Sequence, residues 1–130
     1  MRLNRNEQRT LLTLWCVFRS PLMTGGNLLQ MDAWTKSLLT NPEVIAVDQS
    51  SIANRPVIAT NDIIVWLARQ PSGEDSYIAI FNISDMRQVI HYEWKDLGLA
   101  AHGYKLRDLW LRKDLGFAAA IDVTLKPHAS

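Results

Sequence analysis

The stretch LLTLWCVFRSPLMTGGNLLQMDAWTKSLLTNPEVIAVD, residues 11–48, places one short apolar segment between helical patterns. Its first large apolar residues recur at the i, i+3, i+4 and i+7 spacing of a helix that packs against a sheet. These residues are Leu11, Leu14, Trp15 and Phe18. Pro21 ends this helix, and residues 22–24 are long enough only for a short buried strand. Gly25 and Gly26 then allow the chain to turn.

Helix signals return after this turn. Asp32 is a predicted N-cap for the next helix. Asn41 is a second predicted N-cap, followed by Pro42 at the first helical position and Glu43 in the first turn. Residues 1–53 are therefore predicted to form an αβα unit, whose single strand would need partners from a larger sheet.

From about Ile52 the hydrophobic pattern changes from the helical period to strand-like alternation, so residues 54–130 are predicted to form a second, β domain. Six short segments are rich in β-branched and aromatic residues: 56–60, 62–68, 76–83, 88–94, 104–110 and 120–126. No intervening stretch is long enough for a helical crossover. The sequence therefore predicts an antiparallel β-sandwich, and a mainly β chain.

Three runs of sequence identify a family. They are LWCVFRSPLMTGGNL at 14–28, LLTNPEVIAVDQ at 38–49 and RDLWLRKDLG at 107–116. Together they resemble the carboxyl-terminal part of the alpha-galactosidase (melibiase) family of retaining glycoside hydrolases, glycoside hydrolase family 27. Members of that family have a (β/α)8 catalytic barrel followed by an antiparallel β domain. The resemblance therefore implies a Greek-key-like β-sandwich, preceded by an αβα remnant of the end of the barrel.

The resemblance also implies where the chemistry lies. In the family, the nucleophilic Asp follows Lys-Tyr and the acid/base Asp follows an Arg, and both precede the matching region, so no catalytic residue is expected in this chain. The implied parent enzyme hydrolyses terminal α-galactosides, and the chain is expected to be an inactive C-terminal fragment whose sandwich supports the barrel. If residues 22–24 are the eighth strand, Thr24 and Gly25 would line the sugar pocket, because the C-terminal strand ends form the active-site face of a barrel.

Composition limits the partners of the chain. Its 130 residues are 48% hydrophobic and 21% charged, and its 14 basic residues are dispersed, so a globular protein that does not bind nucleic acid is predicted. No apolar run is long enough to span a membrane. The expected partners are an α-galactoside or related sugar, the missing barrel, and further copies of the chain, through an exposed strand edge and apolar helices. Cellular localisation is not indicated by the sequence.

No metal or cofactor is expected, because His91, His102 and His128 lack metal-ligand spacing and the single cysteine, Cys16, lies in the apolar helix. Asn82 opens an Asn-Ile-Ser glycosylation pattern.

The alternative function is that of a free-standing β-sandwich that binds carbohydrate or a protein. Exposed, coplanar aromatic side chains would favour this alternative, whereas buried ones would favour a supporting role. The aromatic residues in question are Trp66, Tyr77, Tyr92, Trp94 and Trp110, of which Tyr92 and Trp94 are predicted to face the core.

Overall fold

A computed structural model of the protein describes residues 3–23 and 25–130. In these ranges three α-helices precede the strands: α1 (Arg5–Val17), α2 (Ala33–Leu39) and α3 (Pro42–Ser50). The strands are β1 (Ile52–Ala59), β2 (Ile63–Arg69), β3 (Ser76–Asn82), β4 (Gln88–Glu93), β5 (Tyr104–Asp108), β6 (Lys113–Ala118) and β7 (Ala120–Leu125). Short 3-10 helices span Leu28–Gln30 and Trp94–Leu97.

All strand pairing in the described ranges is antiparallel, which confirms the predicted fold class. Strands β1, β2 and β3 form one sheet in that order, β4 pairs with β7, and β5 pairs with β6. The hairpin of β5 and β6 thus lies in sequence between the two strands of its neighbouring sheet.

The main core lies between the sheets. Trp94 and Leu97, in the 3-10 helix that follows β4, are 2% and 1% exposed and pack with buried apolar side chains of three strands, β2, β4 and β7. The strand residues of this buried cluster are Ile63, Val65, Ile90 and Ile121. In β7, Val123 and Leu125 also face this core while Asp122 and Thr124 are exposed, so the predicted alternation is confirmed.

Helix α1 packs on the outer face of the three-stranded sheet. Val17 forms a small buried cluster with Ala79 and Phe81, and the rings of Phe18 and Trp66 are 4.7 Å apart. Asn4 starts the helix with a reciprocal capping box to Glu7.

Leu11, Trp15 and Phe18, on the apolar side of α1 that the sequence assigned to contact with strands of the barrel, are 37%, 37% and 56% exposed in this chain. The buried residues of the helix are Leu12, Cys16 and Val17. The helix is apolar on more than one side, and periodicity alone does not determine which side meets the sheet.

Three strand predictions require correction. Leu22 and Met23 form no strand, since no described strand pairs with them, and Thr24 lies outside the described residues. Trp110, predicted to end a strand, lies in a turn, and Lys113–Ala118 is a strand that the sequence reasoning missed. That strand is exposed along most of its length and contains Gly116 at φ 84°, so it shows no apolar alternation. Within the described ranges, no helix has the length and apolar character needed to cross a membrane.

Candidate functional site

Two of the three family-like runs meet in space. Arg107 of β5 makes a bidentate ion pair with Glu43 at the start of α3, with Nε to Oε2 at 2.8 Å and Nη2 to Oε1 at 2.7 Å. Its remaining Nη1 donates to Asp114 of β6 at 2.7 Å. We call this contact, together with Asn41, Trp110 and Thr13, the junction. It joins the helices to the sandwich.

Asn41 connects the same two runs through its side-chain amide. Its Oδ1 accepts from the backbone N–H groups of Glu43 and Val44, which makes it the N-cap of α3. Its Nδ2 donates to the carbonyl of Leu109 at 2.9 Å, although 68 positions separate the two residues. One buried amide therefore both starts a helix and fixes that helix to the β5–β6 turn.

Trp110 completes the junction on the side of α1. Its Nε1 donates to Oγ1 of Thr13 at 3.0 Å, and the Arg9 guanidinium lies 5.9 Å from its ring. The second cation–π contact of Arg9 is with Trp34, at 5.2 Å. Helices α1 and α3 are thus both tied to the β5–β6 turn, through Trp110 and Leu109. Helix α2 is tied to α1 by the contact between Arg9 and Trp34.

The pKa shifts of Glu43 and Arg107 favour the charged form of both side chains. Hydrogen bonding to Arg107, with Arg112 nearby, lowers the pKa of Glu43, and the Glu43 and Asp114 carboxylates raise the pKa of Arg107. A general acid needs a pKa close to the working pH, so a carboxylate held ionised by a bidentate arginine is unsuited to that role. The junction positions structural elements and does not transfer protons.

Of the predicted sugar-lining residues, Thr24 lies outside the described residues, and Gly25 lies in an irregular segment. A Cβ added at Gly25 would meet no heavy atom within 4 Å, so this glycine faces open space. The role of Thr24 and Gly25 in sugar binding remains a prediction.

The histidines are dispersed, as their spacing indicated. His91 Nδ1 lies 2.6 Å from Asp122 Oδ1, His128 Nε2 lies 2.9 Å from Asp85 Oδ1, and His102 Nδ1 lies 3.0 Å from a carbonyl. Hydrogen bonding to Asp122 raises the pKa of His91. In residues 3–23 and 25–130, no group of three or more His, Cys, Asp or Glu side chains has the arrangement of a metal site.

Cys16 is buried, as predicted, and its environment does not favour the thiolate. Burial, with the nearby Asp48 carboxylate as a second cause, raises the pKa of its thiol to about 12. Nucleophilic cysteines instead need a pKa that favours the thiolate at neutral pH. Burial also raises the pKa of Asp48.

The aromatic residues do not form a sugar-stacking surface. A cleft of about 320 Å3 is lined by His91, Trp94 and His102, among others, but the Trp94 indole is 2% exposed and donates from Nε1 to the carbonyl of Ala118. Trp94 therefore belongs to the core, as predicted, and Tyr92 is half-buried against it. The other three aromatic residues singled out in the sequence, Trp66, Tyr77 and Trp110, are also half-buried. This burial favours a supporting role over a binding module.

Asn82, which opens the glycosylation pattern, is fully buried. Its Nδ2 donates to the carbonyls of Met86, Leu125 and Lys126 at 2.7, 3.2 and 2.9 Å, and its exposed fraction is 0%. Its backbone N–H donates to the carbonyl of Ala129. In the folded chain this amide is not available to a glycosylating enzyme. The sequence showed the Asn-Ile-Ser pattern but contained no signal for this structural role.

The β-sandwich described above is shared with known proteins. A family model for the alpha galactosidase C-terminal beta sandwich domain matches residues 60–130. The chain belongs to the alpha-galactosidase (melibiase) family. Both the family resemblance and the fold class predicted from the sequence are thereby confirmed.

Relatives of this alpha-galactosidase family chain are found among both sequences and structures. The crystal structure of a family 27 β-L-arabinopyranosidase from Geobacillus stearothermophilus is 45% identical and matches with a TM-score of 0.93, over 98% of this chain and 29% of that one. Alpha-galactosidases of Oryza sativa and Cyamopsis tetragonoloba are 30% and 34% identical over 94% and 80% of this chain. The chain spans 30% and 26% of the length of these two enzymes.

Proposed function

We propose that this chain is the supporting C-terminal part of a retaining exo-glycosidase that hydrolyses terminal α-galactosides or a related sugar. In this proposal residues 1–53 complete the end of the catalytic barrel and residues 54–130 form the sandwich that supports it. The observation that carries the proposal is the junction, because the runs at 38–49 and 107–116 contact each other and form a structural joint.

The proposed reaction is a double displacement through a glycosyl-enzyme intermediate. Two carboxyl groups roughly 5 Å apart perform it in retaining enzymes, one as nucleophile and the other as acid and then base. Both would come from strands outside this chain. The role of this chain is then to hold the barrel end in place, and the isolated chain is expected to be inactive.

Thr24 and Gly25 are the proposed contribution of this chain to the sugar pocket. The open space beside Gly25 is compatible with close approach of a ring, and a threonine hydroxyl is a suitable partner for a sugar hydroxyl. The relatives are named for two activities, alpha-galactosidase and β-L-arabinopyranosidase, so an experiment has to identify the sugar.

The test uses a chimera and the chain alone. This chain replaces the matching C-terminal part of the Geobacillus β-L-arabinopyranosidase, and the product anomer is followed by NMR with nitrophenyl α-galactoside and nitrophenyl β-L-arabinopyranoside. The chimera should turn over at least one substrate with retention, while the isolated chain should hydrolyse neither. Turnover by the isolated chain that is lost on mutating one of its own carboxylates would overturn the proposal.

Two variants of the chimera separate the proposed roles. Arg107→Ala should lower the temperature of thermal inactivation and leave kcat nearly unchanged, because the junction is structural. Thr24→Ala should raise KM and leave thermal inactivation unchanged, because its proposed contact is with the sugar. Ser72→Ala, in the exposed hairpin between β2 and β3, is the matched control that should change neither quantity.

A further inference from the structure

The cleft of about 320 Å3 lies on the outer face of the sandwich layer formed by β4 to β7. Because Ile90 and Tyr92 of β4 pack in the core, His91 between them points outward. In β6, Ala118 packs against the core, so Phe117 points outward as well. Helix α1 packs on the other layer, the sheet of β1, β2 and β3. The cleft therefore faces away from α1.

The cleft is also distant from the junction. Its lining includes Gly103, just before β5 begins, and Ala119, just after β6 ends. The junction lies at the other end of the same hairpin, in the turn that contains Trp110. All lining residues of the cleft lie between positions 91 and 120, well inside the sandwich. The cleft is thus a feature of the sandwich itself.

The lining combines small residues with polar side chains. The small residues are Ala101, Gly103, Ala119 and Ala120. The polar side chains are those of His91, Glu93, Lys95 and His102. This combination suits a ligand that has an apolar face and several hydroxyl groups. A volume of about 320 Å3 is at the small end of the range for ligand sites, so the ligand has about the size of one sugar ring.

The charged groups of the lining have partners of opposite charge. Lys95 Nζ lies 2.6 Å from Glu93 Oε2, and His91 is paired with Asp122. The cleft therefore offers little net charge to a phosphate or a carboxylate ligand. His102 Nδ1 donates to a backbone carbonyl at 3.0 Å, which leaves Nε2 of the neutral ring as an acceptor. Donors and acceptors are thus both present for a neutral ligand.

An exposed aromatic ring lies beside the cleft. Phe117 is 75% exposed, yet its ring rests on Gly103, because a Cβ added at that glycine would lie 2.6 Å from Cε1 of the ring. Gly103 itself lines the cleft. Phe117 is not one of the buried aromatic residues that the sequence singled out, since β6 was not recognised as a strand. Its ring is held from one side and remains open to a ligand.

We propose that this cleft is a carbohydrate site that takes one neutral sugar ring. The apolar face of the sugar packs on the Phe117 ring and on the small residues of the lining, and its hydroxyl groups bond to His91, Glu93 and His102. The site lies outside the proposed sugar pocket of the barrel and is additional to the supporting role of the sandwich. A sugar chain bound there is held to the enzyme by a second contact, which raises its apparent affinity.

NMR titration of the 130-residue chain tests the site. Methyl α-D-galactopyranoside and methyl β-L-arabinopyranoside are added in separate experiments. The backbone amides of Gly103, Phe117 and Ala120 should shift saturably with at least one of these sugars and should not do so with inorganic phosphate. Saturable shifts with phosphate alone would overturn the proposal, since the cleft would then be an anion site. No saturable shift at these amides with either sugar would also overturn it.

Variants of Phe117 test the role of its ring. Phe117→Ser should weaken sugar binding about three- to tenfold, which is the contribution expected of one aromatic contact. Near-ultraviolet circular dichroism of the Trp94 core should confirm that this variant is folded. Phe117→Tyr keeps the ring and should bind as the unmodified chain does. Leu111→Ser, at the other end of the hairpin and 64% exposed, is the matched control and should leave binding unchanged. Equal affinities of Phe117→Ser and the unmodified chain would contradict the proposal.

Two further variants connect the ring to the cleft and separate the cleft from the catalytic pocket. Gly103→Ala puts a methyl group where the Phe117 ring lies, so it should also weaken sugar binding. In the chimera, Phe117→Ser should leave kcat and KM for the nitrophenyl glycosides unchanged. A loss of kcat/KM that matches the loss of sugar binding would overturn the proposal, because Phe117 would then act through the barrel. The titration needs no active chimera, so failure of the proposed function and failure of this site are distinguishable.

Discussion

Two buried asparagines fix contacts between distant parts of the chain. Asn82 joins the ends of β3 and β7 and the start of β4, and Asn41 joins α3 to the β5–β6 turn. Each amide spans groups that are far apart in sequence, up to 44 positions for Asn82 and 69 for Asn41. Leaving a buried polar group unpaired lowers the free energy of unfolding, so we expect few substitutions to be tolerated at either position.

Replacing Asn82 is expected to destabilise the chain strongly. Asn82→Ala removes the donor of three carbonyl groups and leaves a small void, so the free energy of unfolding should fall by about 2–4 kcal/mol. Urea denaturation measures this change. Asn61→Ala, at an exposed turn, is the control and should cost under about 0.5 kcal/mol. Similar values for the two variants would show that the Asn82 hydrogen bonds contribute little.

The pair of His91 and Asp122 should make stability depend on pH. Because hydrogen bonding to Asp122 raises the pKa of His91 in the folded chain, its stabilising effect is fully present below the unfolded value of 6.5 and is lost as pH rises through the folded pKa.

The measurement is the difference in melting temperature between the unmodified chain and Asp122→Asn. This difference should be largest at mildly acid pH and should disappear in alkaline buffer. The same difference at both pH values would mean that protonation of His91 is not involved.

At the level of helices and strands, sequence patterns predicted which elements form better than they predicted which face of an element is buried. The N-caps at Asp32 and Asn41 are confirmed, and five of the six predicted strands lie within about two residues of the observed bounds at each end. The face of α1 that packs on this sheet was not predictable, because apolar residues lie on more than one side of the helix and only the position of the sheet selects Val17 over Trp15. Strand β6 was missed because exposed charged residues and Gly116 hide its alternation.

The candidate site was predictable as family sequence but not as geometry. The runs at 38–49 and 107–116 were visible as motifs, yet nothing in either run indicates that Glu43 and Arg107 form a bidentate pair. A contact between residues 64 positions apart is a property of the whole fold. The spacing of residues in a sequence indicates only which side chains are neighbours within one helix or one strand.

The junction should depend on bidentate geometry and on an ionised Glu43. Arg107→Lys keeps the charge and loses the fork of two hydrogen bonds, so it should lower the melting temperature nearly as much as Arg107→Ala. Because the folded pKa of Glu43 is lowered, its contribution is present above the unfolded value of 4.5 and is lost as pH falls through the folded pKa.

A double-mutant cycle with Glu43→Gln and Arg107→Ala measures this coupling. The coupling should be favourable at neutral pH and should shrink in acid. Arg87→Ala, an exposed arginine near the start of β4, is the control for loss of one positive charge. Additive effects at neutral pH would show that the pair does not connect α3 to the sandwich.

In the molecule as a whole, stability comes from the sandwich, while the irregular segment after α1 leaves apolar side chains in solvent. Leu97 is 1% exposed and Leu29 is 96% exposed. Leu97→Ala should therefore lower the free energy of unfolding by about 2–5 kcal/mol, whereas Leu29→Ser should change it by less than about 0.5 kcal/mol.

Solubility should respond in the opposite way. Leu29→Ser removes exposed apolar surface and should raise the concentration at which the chain aggregates, measured by light scattering. Urea denaturation of Leu97→Ala and Leu29→Ser compares the free energies of unfolding of the two variants. A large loss of stability in Leu29→Ser would mean that the segment around Leu28–Gln30 packs in solution against residues it does not contact here.

The contacts of α1 have a consequence for the order of events during synthesis. Thr10 donates to the carbonyl of His128, and Thr13 shares a hydrogen bond with Ser130, so the partners of this helix are translated 118 and 117 residues later. At about 5–20 residues per second the ribosome needs roughly 6–24 s to reach them. A helix of 13 residues is marginal alone in water, so it gains its apolar contacts only once Trp66, Ala79 and Phe81 of the sheet have been made. Docking of α1 therefore begins with translation of β2 and β3, and its hydrogen bonds with His128 and Ser130 form last, long after the helix itself has been made.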